Sequence, residues 1–269
     1  MSSQDGKAGK DDSNVNDLFE EAHAEGVLSP SSLQTLTGVD LGAQIQAGLG
    51  IPVDDVQASE VVLLTIMPDD SGSIRHAGNE EAVREGHNLV LDALTRSKQG
   101  DGVLAHTRYL NGNVLFPYRP IDQAIQMTSK NYEANQGTPL YDQSVVLLGS
   151  VLAKTQEFTR NGVVARSVTL IITDGADQDS RRANAKDVAA LVRDMTRSEG
   201  HIVAAMGISD GTTDFGAVFR EMGIEDRWIL TPGNNPSEIR KAFQVFSQSA
   251  VRASQAASFS RSALGGFTN

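Results

Sequence analysis

Two apolar runs constrain this chain more than any other feature in it. Val61-Val62-Leu63-Leu64-Thr65-Ile66-Met67 and Val168-Thr169-Leu170-Ile171-Ile172-Thr173 lack the regular polar alternation of a half-exposed strand. A strand that reads apolar on both faces is covered on both faces, which is the condition of a parallel sheet. Ile202 to Ile208 is a third such run. Segments of helical period separate them: Glu81 to Arg96, Leu140 to Phe158, Ala185 to Arg197, a short one at Phe215 to Met222, and Pro236 to about Ala253. Val103 to Leu110 and Val114 to Tyr118 flank Asn111-Gly112-Asn113, a strong hairpin signal. Arg227 to Leu230 reads as a short last strand, with Trp228 in the core or at the sheet edge. The alternation predicts an α/β fold: a doubly wound, mostly parallel sheet with one antiparallel edge strand and helices on both faces.

Composition sets outer limits. Hydrophobic residues make up 39% of the 269, enough to build a core. No cysteine is present, which excludes disulfides, thiolate-bound zinc, iron–sulfur clusters and a thiol nucleophile, and fits a reducing compartment. The opening MSSQDGKAGKDDSN has no apolar signal core, and Val61 to Met67 falls far short of the ~20 residues of a membrane helix. A cytoplasmic protein with no membrane contact is expected.

The net charge of -11 argues against a nucleic-acid partner. It is unevenly spread. Residues 1–60 hold eleven acids and two bases, a net of -9, whereas the remaining residues are close to balanced. The chain therefore divides into an acidic leader (1–57), an α/β body (58–253) and a Ser/Ala/Gly-rich tail (254–269). The leader reads as disordered over about its first fifteen residues, then as short helical segments beginning with Asn16 as N-cap. It is either a solvated leader or a docking arm. The tail is either a flexible end or a docking element.

In doubly wound sheets, ligands bind beyond the carboxyl ends of the strands. The first apolar run ends in Pro68-Asp69-Asp70-Ser71-Gly72-Ser73, and the later one in Thr173-Asp174-Gly175. Gln136-Gly137-Thr138-Pro139 opens the long helix between them. Asp69, Ser71, Ser73, Thr138 and Asp174 offer two carboxylates and three hydroxyls, the oxygen donors that hard divalent cations take. Two carboxylates neutralise a dication without surplus negative charge, so such a site can accept one more carboxylate from outside.

Asp69-Asp70-Ser71-Gly72-Ser73, Thr138 in Gly-Thr-Pro-Leu and Asp174 in Thr-Asp-Gly resemble, in order and strand context, the metal-ion-dependent adhesion site of von Willebrand factor A domains. The resemblance covers roughly residues 58–250. It implies Mg²⁺, with Mn²⁺ or Ca²⁺ as substitutes, bound directly by Ser71 and Ser73. Thr138 would switch with occupancy, and Asp69 and Asp174 would ligate partly through water. A partner's Asp or Glu would complete the shell. Asp70, Gly72, His76, Gly137, Asp142, Asp177 and Asp179 fall at the rim, as partner contacts or as ordinary loop residues.

Stand-alone bacterial relatives associated with tellurite resistance or with MoxR suggest an adaptor role in stress, resistance, defence or AAA+ chaperone-type systems. A MoxR-type AAA+ ATPase or kinase and phosphatase proteins would be its partners. Arg181 and Arg182 either start a solvated helix or steer an acidic ligand. Two alternatives stand beside metal-dependent capture. In one, the metal only staples loops and the leader binds the partner; in the other, the site is a Mg²⁺-dependent phosphatase or hydrolase. The second lacks its motif, because two residues after Asp69 and Asp70 stand Ser71 and Gly72. Histidines 23, 76, 87, 106 and 201 form no His-x-x-x-His pair, and no base stands beside a nucleophile, so no enzymatic role is expected.

Overall fold

The computed structural model describes residues 8–38, 41–97, 102–256 and 265–267, with side chains from residue 15 onward. Before the sheet come α1 (Ala8–Ala24), α2 (Pro30–Thr37) and α3 (Gly42–Leu49). The body runs β1 (Glu60–Met67), α4 (Gly72–His76), α5 (Glu80–Thr95), β2 (Val103–Arg108), β3 (Val114–Pro120), α6 (Leu140–Arg160) and β4 (Val164–Thr173). It continues through α7 (Ala185–Arg197), β5 (His201–Gly207), α8 (Phe215–Glu221), β6 (Ile229–Leu230) and α9 (Pro236–Gln255).

Six strands form one sheet in the order β3-β2-β1-β4-β5-β6. All pairs are parallel except β2 with β3. The expected fold class is the one found, and for the expected reason. β1 is buried at every position after Glu60, and the last eight residues of β4 are buried. At the hairpin, Gly112 adopts φ 94°, which suits glycine, and Tyr109 N–H donates to Asn113 O at 2.8 Å. α5 packs on α9, while α6 packs on α7 and on the helices of the leader. Helix starts follow local chemistry. Asn184 and Asp187 form a capping box on α7, and Asn235 caps α9 ahead of Pro236.

Several boundaries differ from expectation. α1 begins at Ala8, so Asn16 lies inside a helix rather than capping one. Its apolar side chains, with those of α2 and α3, enter the main core: Val15, Leu18, Phe19, Leu36 and Ile45 are buried with the sheet residues. Burial of that stripe outweighs the poor intrinsic propensity of an Asp- and Asn-rich segment. Arg227 and Trp228 form a 3-10 turn, leaving only Ile229–Leu230 as strand. In the tail, Phe267 stacks edge-on against Trp228 at 5.3 Å, and its N–H donates to Arg227 O at 2.9 Å. The rest of the expected flexible tail, residues 257–264 and 268–269, lies outside the described residues, as do residues 1–7. Among the described residues no helix is long and apolar enough to cross a membrane.

Candidate metal centre

The turn after β1 is built by its own side chains. Asp69 is fully buried, and its Oδ1 accepts the Ser71 N–H at 2.7 Å, bending the chain back toward the strand end. Its Oδ2 accepts the Asp174 N–H at 3.1 Å and ties the end of β4 to the end of β1. Tyr132 donates its hydroxyl to the Asp69 carbonyl from beneath. Ser71 bridges in parallel to Gln136, with Gly72 N–H to Gln136 O at 3.0 Å. The Asp69 carboxylate thus ties the ends of β1 and β4 together, and bonds to the main chain of the turn add the segment that carries Tyr132 and Gln136.

Three oxygens converge above it. Ser73 Oγ lies 2.5 Å and Ser71 Oγ 3.3 Å from Asp174 Oδ1, and the two hydroxyls are 2.9 Å apart. Thr138 lines the same cleft, of about 410 Å³, and is 6% exposed. Its hydroxyl makes no hydrogen bond among the described residues, while its N–H donates to Asp179 Oδ2 at 2.7 Å. Ser71, Ser73, Thr138 and Asp174 thus line one cleft, while Asp69 is buried beside it with its carboxylate on the Ser71 and Asp174 N–H groups.

Burial raises the Asp69 carboxyl above its ordinary value, despite hydrogen bonds from Ser71. Burial also pushes Asp174 up to about 6, opposed by Ser73 and reinforced by the charges of Asp69 and Asp210. Two desolvated carboxylates side by side disfavour ionisation, and a cation between them would reverse that. Among the described residues no three His, Cys, Asp or Glu side chains are grouped to hold a metal. A cation here must be held largely by hydroxyls, and this oxygen-only donor set fits a hard divalent ion and not a soft one.

The rim candidates separate into distinct roles. Gly72, Gly137 and Asp179 line the cleft. A Cβ on Gly137 would come within 2.3 Å of Asp179 Oδ2, so that close approach requires glycine. Asp70 is not at the rim. It is 2% exposed, its Oδ1 accepts the Asn111 N–H at 3.0 Å, and burial pushes it up to about 7. Asp142 and Asp177 brace the loop after β4 instead of facing the cleft. Asp142 accepts the N–H groups of Arg181, Arg182 and Ala183. Asp177 Oδ1 accepts from Ser180 Oγ and from Tyr141 N–H. His76 places Nδ1 2.6 Å from Gly72 O, outside the cleft lining.

Sequence reasoning missed Asp210, Thr212 and Thr213, which complete the cleft wall. Although burial opposes it, hydrogen bonds from Thr213 and Thr212 hold Asp210 at about 2, a permanent anion beside Asp174. The signal was present: Asp210-Gly211 follows the third apolar run and so stands at the carboxyl end of β5.

Known structures share this architecture. The pilus adhesin SpaC of Lactobacillus rhamnosus GG matches in an open conformation with TM-score 0.53 and 14% identity, over 73% of this chain and 30% of that one. A second crystal form matches with TM-score 0.54 and 12% identity, over 73% and 31%. This chain and SpaC share an α/β fold built on a mostly parallel sheet. A von Willebrand factor type A protein from Catenulispora acidiphila aligns with 17% identity and TM-score 0.46, over 72% of this chain and 43% of that one, too distant to add to the argument. The chain spans about a third of the SpaC length, and at these identities only the fold is shared. No protein-family model matches the sequence, and no curated protein does.

Proposed function

We propose that this α/β domain is of the von Willebrand A type and acts as a cation-dependent protein-binding module. Ser71, Ser73 and Thr138 would hold Mg²⁺ together with Asp69 and Asp174, and the site would capture an acidic side chain of a partner protein. The observation that carries this reading is the convergence of Ser71 Oγ, Ser73 Oγ and Asp174 Oδ1 within 2.5–3.3 Å of one another, open to the cleft. A bound dication would supply a Lewis-acidic position for the incoming carboxylate. The chain's own groups do the rest. Asp69 positions Ser71 and Asp174 through their N–H groups, Asp179 fixes the Thr138 main chain, and Asp210 keeps the wall negative, which favours a cation before an anion.

The reading is of binding and not of catalysis. His87, His106 and His201 are buried inside the sheet layers, each bonded to a neighbouring oxygen, so none is offered to the cleft as a base. A reducing, cytoplasmic setting accords with the absence of cysteine. Nothing in the site selects a MoxR-type ATPase over another acidic partner. The reading in which the leader alone binds the partner is weakened by the burial of its apolar face.

Mn²⁺ titration followed by electron paramagnetic resonance tests the metal step. The wild type should take up Mn²⁺ in competition with Mg²⁺, and Asp69→Ala and Asp174→Ala should not. Affinity purification with and without EDTA tests the capture step: co-purifying proteins should be lost with EDTA and with Asp69→Ala alike. Wild-type protein that binds no Mn²⁺ would falsify the proposal.

A further inference from the structure

The chain is acidic, yet three of its cations share one cleft. Arg182, Lys186 and Arg193 line a groove of about 520 Å³ between α2 and α7, faced by Ser31, Gln34 and Thr35. All three cations are exposed, and none forms an ion pair among the described residues. The nearby Arg197, by contrast, is held by Asp194 at 3.2 Å. The carboxylate of the groove's own Asp187 is engaged with Asn184 N–H at 2.9 Å in the α7 capping box. Asp187 still carries its charge, so the three cations of the groove outnumber its one acid and leave a local excess of positive charge on a chain of net charge -11.

Spacing indicates the shape of the anion. Lys186 and Arg193 are seven residues apart on α7, about 10 Å along its axis, and Arg182 precedes the helix. A single phosphate is too small to meet all three. An extended acidic segment advances ~3.3 Å per residue and can present carboxylates along that length. The α2 wall offers the Gln34 amide and two hydroxyls to its backbone. A long nucleic acid would meet the repulsion of the whole chain.

The groove also adjoins the metal cleft. Asp179 lines the one and Arg182 the other, and three residues span at most ~10 Å. The loop between them is pinned by Ser180, which accepts from Tyr141 and Asp142 N–H, and by Asp142, which accepts from Arg181, Arg182 and Ala183. We infer that the α2–α7 groove docks an acidic segment of the same partner protein whose carboxylate is taken up at the metal centre. This rests on the proposed metal-dependent capture, and the test separates the two.

The probe is a fluorescein-labelled oligo-glutamate peptide, followed by fluorescence anisotropy at low salt in Mg²⁺ and in EDTA. The variant Arg182→Gln/Lys186→Gln/Arg193→Gln alters only exposed side chains and should fold. It should bind the peptide about tenfold or more weakly than wild type in both buffers. Asp69→Ala should bind like the wild type does in EDTA, keeping the groove component. A control that removes the same charge on the α5 side, Arg84→Gln/Arg96→Gln/Lys130→Gln, should change affinity little. Equal weakening by the control would overturn the proposal in favour of general electrostatics. Complete loss of binding in EDTA would overturn it in favour of the metal alone. Displacement by inorganic phosphate at matched ionic strength would overturn it in favour of a small-anion site. If the wild type takes up no Mn²⁺ yet the groove variant still loses the peptide, the metal reading fails and the groove assignment stands.

Discussion

At the scale of single residues, the candidate site depends on the neighbours of its oxygen donors as well as on the donors themselves. Gly137 is one such neighbour. Its missing Cβ leaves room for Asp179, whose carboxylate holds the Thr138 N–H at 2.7 Å. Gly137→Ala should displace Asp179, cost ~1–3 kcal/mol of stability and weaken Mn²⁺ binding. Urea unfolding and Mn²⁺ titration of the same variant check both effects, and unchanged values for both would contradict this account. Asp70 makes the complementary point. By spacing it is indistinguishable from a rim residue, yet its carboxylate is turned inward to the Asn111 N–H. Both adjacent aspartates are buried on backbone N–H groups, Asp69 on those of Ser71 and Asp174 and Asp70 on that of Asn111, contacts that residue types alone do not specify.

At the scale of elements, the long apolar runs and helix periods were legible because each repeats its signal over many residues. α7 has the same bounds as its sequence pattern, and the hairpin sits where Asn111-Gly112 puts it. The leader was harder to read. Its acids and asparagines suggest a solvated segment, whereas Phe19 is 1% exposed in the main core and α1 packs on α3 and α6. Only the partner surface makes that helix worth forming. Phe19→Ala should cost about 3–5 kcal/mol, read from the urea midpoint. A cost near zero would mean that the leader does not contribute to the core of the sheet domain.

At the scale of the molecule, three buried histidines couple stability to pH. Burial lowers His87 to about 4, His106 to about 3 with help from Arg108, and His201 to about 4. In the unfolded chain these groups take up protons below their ordinary value of 6.5; in the native state they stay neutral until far lower pH. The stability they confer is thus complete above 6.5 and is lost as pH falls toward 4, on the order of 3 kcal/mol for His87 alone. The raised carboxylates of the metal cleft act in the opposite sense, so the comparison belongs between variants. His87→Gln, which keeps an amide against Thr107, should show a flatter loss of stability between pH 6.5 and 4.5 than the wild type. Identical slopes in urea titrations across that range would refute the assignment.

Fold class, and the placing of Ser71, Ser73, Thr138 and Asp174 beyond the strand ends, were legible in the sequence alone, because burial on both faces and hydroxyl-rich strand ends leave patterns in residue type and order. Tertiary structure decided what those patterns cannot encode: the inward turn of Asp70, the burial of the leader, the addition of Asp210 to the cleft wall, and the meeting of Arg182, Lys186 and Arg193 opposite α2. Each of these depends on which surfaces meet across a long sequence separation. That is settled by packing and not by any local preference of the chain.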